Sequence, residues 1–224
     1  MIDVPVIVRE RLALALDVPT ADDAGRLLDE VGEAFGVIKV GLELFLAAGF
    51  PFVDSLSAAG WQVFLDLKLH DIPTTVGRAA SVASAHDVAF LTVHTSGGEA
   101  MVRAAVDAAG GHTRVLGVTV LTSDADASDF DRRVAVAANA GCWGVVCSAL
   151  ELEHLGQIAP QLHSVVPGIR MEGASTHDQA RVATPNNALR DGASLLVIGR
   201  AVTGAENRLK ATESLVSQVA SIFF

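Results

Sequence analysis

The chain predicts an α/β fold, a (β/α)8 TIM barrel, and three observations carry that reading. Short apolar runs recur eight times from one end to the other, and each is followed by a segment able to form a helix. Strands that alternate with helices pair in parallel through right-handed crossovers, and eight such units in 224 residues suit a closed barrel slightly shorter than usual. Charged residues, finally, end several of the apolar runs, where this fold gathers its chemistry at the C-terminal face. An open doubly wound sheet is the alternative. The first run lacks the G-x-G-x-x-G that a dinucleotide-binding sheet would carry. No linker, low-complexity tract or charge block divides the chain, so residues 1–224 read as one domain.

Taken in order, the strands are predicted at 11–17 (RLALALD), 36–41 (GVIKVG), 61–68 (WQVFLDLK), 88–93 (VAFLTV), 114–120 (RVLGVTV), 143–147 (WGVVC), 163–166 (HSVV) and 194–198 (SLLVI). Their near-continuous apolar character is that of strands covered on both faces. After the first, Thr20-Ala21-Asp22-Asp23 resembles a capping box, and Leu27, Leu28, Val31 and Phe35 follow at helical spacing. Segments 97–109, 128–140, 149–158, 186–191 and 205–223 read as further helices. The stripe Met101, Val102, Ala105 and Val106 is packing, and Trp61 and Trp143 open strands as core or bottom-face residues.

Composition narrows the function classes. Half the residues are hydrophobic, which supplies a sizeable core, yet no apolar run approaches the length of a membrane span. The start MIDVPVIVRER lacks a basic region and a long apolar stretch, so it does not read as a secretory signal. A net charge of −10 argues against nonspecific nucleic-acid binding, so an anionic ligand must meet a local cationic pocket. Cys142 and Cys147 fit neither a disulfide framework nor a zinc site, and read as reduced thiols of a cytoplasmic protein.

The stretch WQVFLDLKLHDIPTT, residues 61–75, carries the densest chemistry. Period-two alternation puts Phe64, Asp66 and Lys68 on one face and Val63, Leu65, Leu67 and Leu69 on the other. Asp71 follows, and Ile72-Pro73 ends the strand. Charges in such a place are costly unless paired, and the plain alternative is a structural Asp66–Lys68 ion pair. Barrel topology argues for more, because Asp17 ends strand 1 and Lys39 lies near the end of strand 2. Neighbouring strands 1, 2 and 3 should therefore bring Asp17, Lys39, Asp66 and Lys68 into one pocket, with Ala13 and Ala15 leaving room.

The far side of the rim offers polar groups. Thr122 and Ser123 follow strand 5, as ligand-binding hydroxyls or as ordinary helix initiators. A long loop from residue 168 to 185 carries Arg170 and Gln179, and strand 8 ends at Gly199 and Arg200. Loops after strands 7 and 8 commonly hold phosphate in this fold, which the Gly199 backbone N–H and the Arg200 guanidinium would suit. His70 and His94 read as packing or hydrogen-bonding residues, since neither has a second ligand at metal spacing.

These motifs together resemble the orotidine 5′-phosphate decarboxylase family through nearly the whole chain. LALD with Asp17, IKVG with Lys39, DLKLHDIP with Asp66, Lys68 and Asp71, VTVLTS with Thr122, PGIR with Arg170 and IGR with Gly199 and Arg200 stand in the family's order. One departure is Thr74, where the family commonly has Asn; Thr75 matches. The resemblance implies conversion of orotidine 5′-monophosphate to UMP without cofactor or metal. It implies Lys68 as proton donor, with Asp66, Asp71 and Lys39 in its charge network. Asp17 and Lys39 would hold the ribose, Thr122 would contact the ligand, and Arg170, Gln179, Gly199 and Arg200 would hold the phosphate. It also implies a homodimer with shared active sites, in which Asp71, Ile72 and Thr75 reach the neighbouring subunit's pocket, and it counts Ile72, Pro73 and Thr75 among the substrate-binding residues. Related barrels that decarboxylate sugar phosphates with Mg²⁺ are a second reading, weakened because strand 2 presents Lys39, which repels a cation. A non-catalytic nucleotide-binding barrel is a third, and no lesion in the charged set favours it.

Overall fold

The computed structural model describes residues 4–121, 126–171 and 183–224. Eight strands form one closed parallel barrel in sequence order: β1 Leu12–Leu16, β2 Val37–Gly41, β3 Gln62–Leu69, β4 Phe90–His94, β5 Arg114–Val118, β6 Gly144–Val146, β7 His163–Val166 and β8 Leu195–Ile198. β8 closes on β1 with Ala13 beside Val197. Each strand lies on one of the apolar runs, with ends displaced by at most two residues, as strand ends generally are.

Strand alternation divides the apolar residues into two cores. Ala13, Ala15, Val37, Phe64, Phe90, Leu116, Val165, Leu195 and Val197 point inward and fill the barrel. Their neighbours in sequence, among them Leu14, Leu16, Ile38, Val40, Leu65 and Leu91, point outward and pack under the helices. Both faces of the strands are thus covered, which accounts for their unbroken apolar sequence.

The helices are α1 Val6–Arg9, α2 Ala21–Val31, α3 Leu42–Ala58, α4 Pro73–Ala85, α5 Glu99–Ala109, α6 Phe130–Ala140, α7 Leu152–Ile158, α8 Pro185–Arg190, α9 Arg200–Thr203 and α10 Arg208–Ala220. Thr20 caps α2 by accepting the Asp23 N–H at 3.1 Å. Leu27 and Val31 are buried as their spacing predicts, but Phe35 lies beyond the helix. A 3-10 turn at Gly32–Ala34 intervenes, and Phe35 enters the same core from extended backbone. α3 kinks at Gly49, whose φ of 62° favours glycine, two residues before Pro51. Pro73 opens α4 at a first-turn position where its missing N–H costs nothing. Ser148 and Glu151 form a reciprocal capping box ahead of α7.

Aromatic and cationic side chains stack at the N-terminal mouth of the barrel. The Arg114 guanidinium lies 3.9 Å from the Phe90 ring centre, and Trp143 and His163 stack at 4.0 Å. Cys142 and Cys147 are both free and buried. Burial pushes the Cys142 thiol up to about 12, and burial followed by the nearby Glu151 carboxylate pushes Cys147 up as well. Among the described residues, no helix is long and apolar enough to cross a membrane.

Candidate active site

The C-terminal mouth opens into a cavity of about 610 Å³, within the range of small-molecule sites. Strand register decides what enters it. Ala15 is level with Lys39, and Gly41 is level with Asp66. Inward positions at successive heights therefore hold a small residue, an ammonium and a carboxylate on adjacent strands. Gly41 packs closely against two charged side chains. A Cβ there would come within 3.2 Å of Asp17 Oδ1 and 3.3 Å of Lys39 Nζ.

The four charges form an alternating row. Lys39 Nζ lies 2.9 Å from Asp17 Oδ1 and 3.7 Å from Asp66 Oδ2. Lys68 Nζ lies 2.8 Å from the same Asp66 oxygen. Lys39 is buried, Asp66 nearly so, Lys68 one-third exposed, and Asp17 faces solvent. Burial alone would raise the Asp66 carboxyl pKa. The Lys39 and Lys68 ammonium groups, with hydrogen bonds from Lys68 and Thr92, outweigh it and hold the group below the ordinary carboxylate value. Asp66 is thus an anion at neutral pH, and both ammonium groups face it.

β3 does not keep the strict alternation that its sequence predicts. Between the pairs Leu65–Leu91 and Leu69–Val93, β3 advances four residues while β4 advances two. The excess is taken up in a bulge in which Lys68 has φ of 50°, a left-handed backbone uncommon for a side chain of this size. Asp66 and Lys68 nevertheless both line the cavity. The Lys68 N–H donates to Thr92 Oγ1 on β4 at 2.9 Å, and the Thr92 hydroxyl donates to Asp66 Oδ1 at 2.9 Å. Thr92 was not among the predicted site residues, because an inward threonine in an apolar strand carries no signal of its own.

His94, at the end of β4, is half-buried, with its ring 5.6 Å from that of His70. Burial, then His70, Lys68 and Arg133, lower its pKa against a smaller opposing pull from Asp66. It is therefore neutral at pH 7 and adds no charge beside Lys68.

Arg170, Gly199 and Arg200 line the same cavity, Gly199 at the end of β8 beside β1. Arg170 is buried and donates Nη1 to the Ile169 carbonyl at 2.9 Å. The feet of the long loop meet, since the Arg170 N–H bonds the Ala183 carbonyl at 3.0 Å. Thr122 and Gln179 lie outside the described residues. Asp71, Ile72, Pro73 and Thr75 are exposed at the start of α4 and do not line the cavity of their own chain. Asp71 Oδ1 accepts the Ile72 N–H at 2.6 Å, and among the described residues it pairs with no cation. The approach of Asp71 to Lys68 suggested by sequence spacing is therefore not made within one chain among the described residues, where Lys68 pairs with Asp66.

Comparison with known proteins agrees with this geometry. The family model described as orotidine 5'-phosphate decarboxylase / HUMPS family matches residues 10–215. The orotidine 5'-phosphate decarboxylase of Anaeromyxobacter sp. (strain K) is 44% identical over 222 residues, covering 93% of this chain and 97% of its own. That of Thermobifida fusca is also 44% identical over 222 residues, with 93% and 95% covered. The crystal structure of orotidine 5'-phosphate decarboxylase from Lactobacillus acidophilus superposes with a TM-score of 0.81 at 33% identity, covering 94% of this chain and 99% of that one. With a closed barrel, an alternating Asp–Lys row at its mouth and relatives matched over nearly their full length, the chain belongs to the orotidine 5'-phosphate decarboxylase / HUMPS family.

Proposed function

We infer that the chain decarboxylates orotidine 5′-monophosphate to UMP and CO2, the carboxy-lyase step of pyrimidine biosynthesis, in line with relatives named orotidine 5'-phosphate decarboxylase. The observation that carries the reading is the Asp17–Lys39–Asp66–Lys68 row in one cavity that Arg170 and Arg200 also line. Cleaving the C6–carboxylate bond leaves an electron pair at C6 in the plane of the ring, where the π system cannot take it up. Stabilisation must come from fixed charge and a ready proton. Lys68 supplies both: its ammonium faces the developing carbanion and then protonates it, recovering its proton from solvent after CO2 leaves.

A single ion pair does not suffice. Coulomb attraction at 4 Å is about 4 kcal/mol at an effective dielectric near 20, against the ~8–23 kcal/mol by which enzymes lower barriers. Asp66 holds the Lys68 ammonium in place and, beside the substrate carboxylate, adds repulsion that departure of CO2 relieves. Asp17 and Lys39 hold the ribose. Arg170, Gln179, Gly199 and Arg200 hold the 5′-phosphate, whose binding energy is expressed at the reacting carbon. Thr122 completes the ligand contacts.

No metal is required in this scheme. The Lys39 ammonium occupies the space between Asp17 and Asp66 that a cation would need. The test is to follow the loss of orotate absorbance with orotidine 5′-monophosphate in EDTA. Conversion to UMP is the expected result. Turnover seen only with Mg²⁺ and a keto-sugar phosphate would replace this reading with the metal-dependent one, and tight UMP binding without turnover would replace it with a binding role.

The working form we propose is a homodimer of single-domain cytoplasmic chains with shared sites. What supports it is Ile72, 65% exposed beside Pro73 and Asp71, a carboxylate that pairs with no cation among the described residues. Apolar exposure of that size next to a carboxylate suits a second copy placing Asp71 at its neighbour's Lys68. Mixing unfolded-and-refolded Lys68→Ala and Asp71→Ala chains is expected to restore activity that neither variant has alone. Absence of any restoration, with mixed dimers present, would reject the shared site.

A further inference from the structure

The row of charges depends on a group that makes no contact with the cavity. Thr92 is fully buried on β4, and its hydroxyl joins two parts of β3. It accepts from the backbone N–H of Lys68 and donates to Asp66 Oδ1, each at 2.9 Å. The other Asp66 oxygen accepts from Lys68 Nζ at 2.8 Å. A closed circuit results, from the main chain of Lys68 through Thr92 and Asp66 back to the ammonium of the same lysine.

We propose that Thr92 is a positioning residue for the decarboxylation, fixing through one hydroxyl both the left-handed backbone that presents Lys68 and the carboxylate that aims its ammonium. The bulge makes such a group necessary. Where β3 runs out of step with β4, the Lys68 N–H has a side-chain oxygen, not the regular ladder, as its acceptor. A backbone at φ of 50° persists only where its surroundings hold it. The donor and acceptor halves of one hydroxyl also reinforce each other in a buried circuit. Valine has the shape of threonine but neither half of the circuit. It would leave the Lys68 N–H without an acceptor and Asp66 Oδ1 without its donor, and Asp66 would turn within reach of both lysines.

The kinetic part of this inference rests on the decarboxylase reading; the geometric part does not. The test compares Thr92→Val and Thr92→Ser with the wild type in kcat, KM and the carbon-13 titration of the Asp66 carboxyl, assigned with Asp66→Asn. Thr92→Val is expected to lower kcat by about 10–100-fold, the cost of removing a hydrogen bond to a charged catalytic group, with KM nearly unchanged. The Asp66 midpoint should move up in the same variant. Thr92→Ser, which keeps the hydroxyl, should retain kcat within about threefold and the wild-type midpoint. In an Asp66→Asn background, Thr92→Val should cost less than it does alone, because the two act on one interaction. A folded Thr92→Val enzyme with wild-type kcat would overturn the proposal. So would a Thr92→Ser enzyme that loses as much as Thr92→Val, which would assign the effect to packing. Should Thr92→Val not fold, Thr92→Ser decides alone, and a tenfold loss there overturns the proposal. If the wild type has no turnover, the functional reading fails, and the Asp66 titration still decides whether Thr92 holds the carboxylate.

Discussion

Lys68→Ala is expected to lower kcat by on the order of 10³-fold or more while the barrel stays folded. The ammonium is asked to do two things, to face the charge that builds at C6 and to deliver the proton that ends the reaction, and alanine does neither. The fold should tolerate the change because the side chain ends in the cavity, one-third exposed, and packs in neither core. Asp66 would keep Lys39 at 3.7 Å and the Thr92 hydroxyl at 2.9 Å, so its charge is not left alone. Turnover with orotidine 5′-monophosphate, read beside thermal unfolding and UMP binding, checks this. Wild-type turnover in a folded Lys68→Ala protein would remove the lysine from the chemistry.

Asp66→Ala should be the more damaging change overall, because it affects stability as well as rate. It brings Lys39 and Lys68 face to face with no carboxylate between them. Lys39 keeps only Asp17, whose side chain is 63% exposed and whose pull is correspondingly screened. Breaking a buried pair by removing one partner typically costs ~3–5 kcal/mol; the partial exposure of Lys68 places the loss near the lower end. Turnover should fall by about 10²–10³-fold or more. Chemical denaturation and kcat measured together test both halves. Asp66→Asn, similar in shape, should lose rate while losing less stability.

The same carboxylate sets a pH dependence. Its folded-state pKa is lowered, so it binds fewer protons in the native chain than in the unfolded one near the carboxylate range. The stability it contributes is fully present above the unfolded value of about 3.9 and is lost as pH falls through the lower folded value. Unfolding free energy measured from pH 7 downward should therefore decline more steeply in the wild type than in Asp66→Asn once pH falls below about 4.

Much of this was legible in the residues, for identifiable reasons. Strands covered on both faces must be apolar throughout, so eight runs announced eight strands, and the charges that interrupt their ends could only belong at a mouth. Three features stayed hidden. The bulge at Lys68 was invisible because D-L-K reads as plain alternation, and only the pairing with β4 shows the mismatch. Thr92 was hidden because its partners come from 26 and 24 residues away and its residue type suits any strand. Phe35 continued the helical spacing of Leu28 and Val31, yet Gly32 and its 3-10 turn ended the helix first. Local periodicity cannot report a long-range hydrogen bond or a turn that preserves burial while changing backbone.

The two cysteines flank a single strand, Cys142 before β6 and Cys147 directly after it. Each is masked, with its thiolate disfavoured by burial, so a thiol reagent at neutral pH can reach either only through an opened molecule. The chain therefore carries two clocks on the ends of one stave of the barrel, one toward its floor and one toward its mouth. If modification of Cys147 outpaces that of Cys142, the barrel breathes at the end that admits ligand; equal rates mean that β6 leaves the sheet as a unit. A phosphate-bearing ligand bound across the mouth should slow modification of Cys147 more than that of Cys142, giving a readout of site closure that needs no added label.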